Sequence, residues 1–305
     1  MLAVGSSKFK ARHRSKSSLK PPTSNVFQPS SVGRVGNLRL EYGLRDGRTI
    51  VTKSHATSPW HFLPTIYLDD TGQVHTLLVN PSAGLVGGDR LSIRMALREG
   101  TSALVSTPSA NRVYRSLGKE SVQTVEITLG PGAILEWVPE PTIPFRGARF
   151  HQSIHVQLAP GATVLLWDAI ASGRVARGER WAFTSLENEI AISTADGRSV
   201  LERYHVAPSQ DGVGLAEPWD YVASLFVIGD SVEAATWTQA RERLAEALKS
   251  VEPAVVGGVS EPAAPGLAVK LVARSAPDLT MVLDRLWMAV RGELWQLSVP
   301  ALRRY

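Results

Sequence analysis

Three stretches of this chain can be laid over one another, and that overlay limits the possible folds more than any other feature. Ser92, Thr124 and Ser153 each stand eight residues before a glycine, Gly100, Gly132 and Gly161. The segments that follow them read Ser-Ile-Arg-Met-Ala-Leu, Thr-Val-Glu-Ile-Thr-Leu and Ser-Ile-His-Val-Gln-Leu. Apolar residues alternate in register in all three: Ile93, Met95 and Leu97; Val125, Ile127 and Leu129; Ile154, Val156 and Leu158. A period of two belongs to a strand with one buried face, so these residues are expected on one side of a sheet, with Arg94, Glu126 and His155 on the other. After each glycine comes a more continuously apolar run, Ala103-Leu104-Val105, Ile134-Leu135-Glu136-Trp137-Val138 and Val164-Leu165-Leu166-Trp167. Runs of that kind suit strands covered on both faces. Spacings of 32 and 29 residues between the glycines are too irregular for a strict solenoid. Stacked strand–turn–strand units still account for them. The expected fold class is mainly β, in layered, solenoid-like sheets of antiparallel and mixed strands.

The flanks carry hairpin signals. Asp46-Gly47 stands between Leu38 to Tyr42 and Arg48 to Lys53, and Asp196-Gly197 between Glu189 to Thr194 and Ser199 to Val206. Trp60 to Leu68 and Gln73 to Val79 flank Asp69-Asp70-Thr71-Gly72 as a further hairpin. The last third changes character and predicts two helices. After a strand from Asp220 to Gly229, Ser231 can cap a helix running to about Lys249, with Trp237, Ala240, Leu244 and Leu248 as its apolar stripe. After a strand from Leu267 to Arg274, Ser275 as N-cap and Pro277 in the first turn open a helix through Leu279, Val282, Leu283, Leu286, Trp287 and Val290. The Gly/Pro-rich stretch from Gly257 to Gly266 reads as a loop within this region.

Charge divides the chain unevenly. Of 33 basic and 28 acidic residues, eight basic and no acidic ones fall within residues 1–40, so the overall +5 becomes 25 against 28, or −3, for the rest. Residues 1–34 therefore read as a basic, disordered tail ahead of one β-rich domain spanning 35–305, whose helical part is about 220–305. Targeting or nucleic-acid binding are the alternative readings of that tail. Cysteine is absent, which excludes a disulfide framework, a thiolate nucleophile and a cysteine metal cage, and favours a cytoplasmic location.

The search for catalytic motifs is mostly negative. There is no Gly-x-x-x-x-Gly-Lys-Ser/Thr, no Gly-x-Ser-x-Gly and no His-Glu-x-x-His, and Gly84 to Asp89 lacks the dinucleotide-binding spacing. His151 and His155 lie four apart, but at the entry of an expected strand, where that spacing does not bring two ligands together. Two carboxylates are harder to dismiss. Glu136 stands among Leu135, Trp137 and Val138, and Asp168 follows Leu165, Leu166 and Trp167. A buried carboxylate in such company calls for a cation, clustered donors, internal water or a passing metal. An arginine partner, or exposure at a strand end, would answer the same need. Oxygen donors also release borderline divalent ions that thiolates would retain.

Taken in order, several motifs resemble the urease accessory protein D family (UreD, called UreH in some bacteria). They are Asn80-Pro81-Ser82-Ala83-Gly84-Leu85-Val86-Gly87-Gly88-Asp89, then Ser106-Thr107-Pro108-Ser109-Ala110 with Val113-Tyr114-Arg115-Ser116, then Leu135-Glu136-Trp137-Val138-Pro139 with Thr142-Ile143 and Phe145, and finally Leu286-Trp287-Met288-Ala289-Val290-Arg291. The chain departs from the family's usual pattern at Glu140-Pro141 and in its ending, Val299-Pro300-Ala301-Leu302-Arg303. The resemblance implies a β fold with two helices and a non-catalytic scaffold without a permanently bound cofactor. It also implies a helical partner (UreF), a nickel-carrying GTPase (UreG) and delivery of Ni(II) to apo-urease through an internal tunnel. It makes Asp89 and Glu136 candidate transient nickel contacts, with turn and pairing roles as their alternative, and Asp168 joins them as a candidate from its apolar surroundings. Two other function classes stay open: a β-solenoid polysaccharide-processing enzyme using Arg94, Glu126 and His155, and a nucleic-acid-binding module using the basic tail.

Overall fold

Each repeat contributes one strand to each of two facing sheets, and its glycine turns the chain from one sheet to the other. The computed structural model describes residues 33–208, 212–216 and 218–302. Sheet I contains β1 (Val35–Arg45), β2 (Arg48–Ala56), β6 (Arg90–Leu97), β9 (Ser121–Leu129), β12 (Arg149–Leu158), β14 (Ser185–Ser193) and β15 (Ser199–Val206), in spatial order β15-β14-β12-β9-β6-β1-β2. Sheet II contains β3 (His61–Phe62), β5 (Val74–Val79), β7 (Ser102–Ser106), β10 (Ile134–Val138), β13 (Thr163–Ala171), β16 (Tyr221–Gly229), β17 (Val255–Ser260) and β18 (Gly266–Ala273), in the order β17-β18-β16-β13-β10-β7-β5-β3. Three short strands attach to its flank, β4 (Ile66–Tyr67), β8 (Asn111–Val113) and β11 (Thr142–Pro144).

Successive repeats stack in parallel. Ile93 pairs with Val125 and Val125 with Ile154 across sheet I, while Ala103 pairs with Leu135 and Leu135 with Val164 across sheet II. The turns demand glycine. Gly100, Gly132 and Gly161 have φ of +66°, +64° and +76°, a region that costs a Cβ-bearing residue steric strain. Antiparallel hairpins close the stack at both ends of sheet I, β1 with β2 and β14 with β15. The alternating residues of sheet I form one core with the inner face of sheet II. The outer face of sheet II is covered by helices α1 (Ala234–Lys249) and α2 (Ala276–Val290), which make a second core with Leu104, Leu165, Trp167, Leu225 and Val269. Those two layers explain why β13 is buried at every position and carries the continuous apolar run Val164 to Trp167.

The structure amends three local expectations. Gly257 to Ser260 belongs to strand β17, paired with Ala268 to Leu271, so the loop shrinks to residues 261–265; Lys270 and Leu271 lie so close to Gly257 that a side chain there would collide with them. Ser231 does not cap α1. Its hydroxyl donates to the Gly161 carbonyl, and the cap position is Glu233, whose side chain makes no capping bond. Leu63 to Thr65, with Pro64 unable to donate to a ladder, splits the expected Trp60 to Leu68 strand into β3 and β4, both paired with β5. Ser275 does cap α2, accepting from the Asp278 amide with Pro277 in the first turn. The basic tail, apart from Gly33 and Arg34, lies outside the described residues.

Candidate functional site

One residue before each repeat serine or threonine, the inward alternation continues, and there the pattern turns polar. Leu91 occupies that position in the first repeat, Gln123 in the second and Gln152 in the third. Strand pairing carries the row onward, since Gln123 pairs with Gln152, Gln152 with Asn188, and Asn188 with Tyr204. Sheet II presents a second polar row, in which Asp168 pairs with Ser224 and Ser224 with Lys270. Asp168 alternates with Leu166 and Ile170, both members of the core between the sheets, so it points toward the first row.

The two rows meet in a hydrogen-bonded seam through the sandwich. Gln123 Nε2 donates to Gln152 Oε1 at 3.2 Å. Gln152 Nε2 donates to Asp168 Oδ1 at 3.1 Å and to Asn188 Oδ1 at 3.0 Å. Asn188 Nδ2 donates to Asp168 Oδ2 at 3.0 Å and lies 3.0 Å from the Tyr204 hydroxyl. Beside them the Ser224 hydroxyl donates to Glu202 at 2.8 Å, and Glu202 is ion-paired with Lys270, whose side chain is two-thirds exposed. Burial pushes the Asp168 carboxyl up to about 6, and the neighbouring Glu202 charge adds to that rise against the amide donors of Gln152 and Asn188. Burial together with Asp168 and Glu202 also raises the Tyr204 phenol well above its ordinary value.

The seam stands between two hollows. A cavity of about 100 Å³ extends from loop residues Asn80 to Gly84 and Thr107 to Arg112 inward to Gln123, Gln152 and Asp168. A second, of about 390 Å³, is lined by Ile170, Phe183, Leu186, Tyr204, Val213 and Val222. Asp168 faces the first and Tyr204 the second, with Asn188 bonded to both. Trp60 Nε1, Trp137 Nε1 and Asn111 Nδ2 line the first cavity and are buried without a protein partner among the described residues.

Glu136 lies elsewhere. It pairs in register with Leu104 and Leu165, on the helix-covered face of sheet II, opposite to the face that carries Asp168. It is fully buried in a network with α2. Arg291 Nη1 donates to Glu136 Oε1 at 2.6 Å, Gln73 Nε2 donates to the same oxygen at 2.8 Å, and the Trp287 indole N–H donates to Oε2. Here the arginine partner is the one present. Asp89 closes a turn: its carboxylate accepts from the Arg34 amide at 2.8 Å and the Val86 amide at 2.9 Å. The three carboxylates are therefore not brought together, and among the described residues no group of three or more His, Asp and Glu side chains is arranged to hold a metal ion.

Arg94, Glu126 and His155 do fall in one row on the outer face of sheet I. Arg94 is ion-paired with Glu126 at 2.5 Å, and His155 Nε2 is hydrogen-bonded with Glu189 Oε1 at 2.9 Å. Sequence reasoning missed Gln123, Gln152, Asn188 and Tyr204. The available signal was a polar side chain at an apolar position of a period-two pattern.

Comparison with known proteins gives the same answer along nearly the whole chain. The family model described as UreD urease accessory protein matches residues 34–304. A urease accessory protein UreD of Deinococcus radiodurans is 34% identical over 283 residues, covering 90% of this chain and 98% of the relative. One from Cupriavidus necator is 31% identical over 275 residues, covering 87% and 92%. UreD 2 of Streptomyces griseus is 30% identical over 289 residues, covering 92% and 97%. A stacked two-sheet β fold with two C-terminal helices, no nucleotide-binding motif and sequence agreement over residues 34–304 place this chain in the UreD urease accessory protein family.

Proposed function

We propose that this chain is a non-catalytic scaffold of urease maturation in the cytoplasm, and that Ni(II) crosses its sandwich along the seam on the way to apo-urease. A helical partner, UreF, and a nickel-carrying GTPase, UreG, complete the assembly. The observation that carries the reading is the pair of facing polar rows joined at Asp168, within the largely apolar core between the two sheets. Burying carboxylate, amide and hydroxyl groups costs folding energy unless they are bonded, so a row of them across a core calls for a use beyond packing.

The chemistry suits cargo and not residence. Asp168, the side-chain oxygens of Gln152 and Asn188, and the Tyr204 hydroxyl are all oxygen donors, which hold a borderline ion such as Ni(II) more loosely than imidazole or thiolate would. With its carboxyl at about 6, Asp168 is mostly ionised at neutral pH, and an arriving cation offsets the desolvation that burial imposes on it. The first cavity has room for several waters, and the unpartnered Trp60, Trp137 and Asn111 N–H groups are donors that such waters would accept from. In this reading Asp168 is the contact on the path, whereas Glu136 and Asp89 hold the structure around it.

The test is genetic and chemical. In cells that lack this chain but retain the partners, urease protein is expected to accumulate with little nickel and little activity, and both should return when the chain is supplied. Normal urease activation in its absence would end the proposal.

A further inference from the structure

The end of the stack beyond β8 and β11 is lined with arginine. The segments that lead back to sheet I lie on one another, with the Ser116 amide donating to the Gly147 carbonyl at 3.0 Å and the Gly147 amide to the Ala182 carbonyl at 2.9 Å. They carry Arg115, Arg146, Arg174 and Arg177, and Arg112 precedes them on β8. Of the carboxylates at this end, Glu179 is buried and already engaged by Arg174 and Arg146, Asp220 is engaged by Arg180 and Ser172, and Glu120 is exposed just before β9. Arg112, Arg115 and Arg177 are exposed and have no ion-pair partner among the described residues.

Between these cations runs a groove of about 490 Å³, lined by Arg112, Tyr114, Ile143, Phe145, Arg174 and Arg177. Its floor is aromatic: the Tyr114 and Phe145 rings meet edge to face at 4.9 Å, and the Arg174 guanidinium sits 4.5 Å from the Phe145 ring centre. Arg112 also lines the first cavity, so the groove adjoins one approach to the seam.

We infer that this groove docks an extended acidic segment of a partner protein. This rests on the scaffold reading above for the partner being a protein, but not on passage of an ion. Spacing favours a chain over a single phosphate. Strand β11 lies between β8 and β13 in the sheet, so the backbone at Arg112 and the end of β13, which leads into the segment bearing Arg177, sit roughly 10 Å apart at a strand spacing of about 4.8 Å. Carboxylates three residues apart on an extended chain of polyproline II form face the same side and span that distance, at about 3.1 Å per residue. A side chain between them would rest on Tyr114 and Phe145. Arginine pairs with carboxylate through two parallel N–H bonds, which fixes direction as well as affinity.

The full chain is to be titrated with a labelled decapeptide carrying Glu at every third position and with its Gln counterpart, following fluorescence anisotropy at low and raised salt. The Glu peptide is expected to bind with salt-sensitive affinity and the Gln peptide not to bind. Arg112→Ala and Arg177→Ala should each weaken binding about tenfold, the size of one hydrogen-bonded charge contact. Both side chains are exposed, so the fold should survive, as an unchanged melting temperature would confirm. Equal binding of the Gln peptide, undiminished binding by the double variant, or displacement of the Glu peptide by equimolar inorganic triphosphate would overturn the inference. Failure of the scaffold reading would show separately, as normal urease activation in cells lacking the chain.

Discussion

Arg291→Ala is expected to cost the fold about 3–5 kcal/mol, the loss that follows when one partner of a buried ion pair is removed and the other charge is left behind. Arg291 and Glu136 are both fully buried, and Arg291 ties α2 to sheet II through Glu136 and Gln73. Without it, Glu136 keeps only Gln73 and the Trp287 indole as donors. A domain held by about 5–15 kcal/mol would lose a large part of its margin. The double variant Glu136→Leu/Arg291→Met removes both charges and should recover most of the loss, because replacing a buried pair by apolar groups of similar size is often neutral. Denaturant midpoints of the three proteins decide it. A single variant as stable as the parent would show that the pair does not hold the helix layer on the sheet.

A pH-dependent gain in stability is expected for Asp168→Asn. The carboxyl has an ordinary value near 3.8 when unfolded and about 6 when buried, so across that window the unfolded chain has released a proton that the native chain keeps. Stability then falls as pH rises: the contribution is fully present below 3.8 and gone above 6. A shift of that size corresponds to on the order of 3 kcal/mol. The Asn variant has no such proton, so it should gain on the parent by about that amount between about pH 3.5 and about pH 7.5 in denaturant melts. Hydrogen bonds altered by the substitution shift both measurements alike and drop out of the difference. A difference independent of pH would mean that Asp168 is not held in a desolvated site.

The repeat made the two sheets legible because each unit alternates at the period of a strand and ends on a glycine that the turn requires. The helices were equally plain, from the stripe of Ala240, Leu244 and Leu248 and the Ser275-x-Pro277 start. Gly257 and Gly258 were misread because glycine marks loops in general, while β17 uses Gly257 where the Leu271 and Lys270 backbone comes too close for a side chain. Glu136 and Asp168 were both visible as carboxylates in apolar company. Nothing in the sequence said that they face opposite sides of one sheet, since the two strands differ in register and the helix layer comes from residues about 100 positions later. Asp168 needed Asn188 and Tyr204 to become a seam, and those residues reach it only through the pairing of β12, β14 and β15.

The most direct test of passage through the sandwich is the nickel content of urease matured with a chain whose seam is plugged. Gln152→Leu and Asp168→Leu made together remove a donor and its acceptor at once, which spares the fold more than either change alone. Co-purification of the plugged chain with UreF, UreG and urease would show the assembly intact. The expected result is an assembled complex whose urease holds little nickel, against full loading with the parent chain. Full nickel loading by the plugged chain would contradict the account.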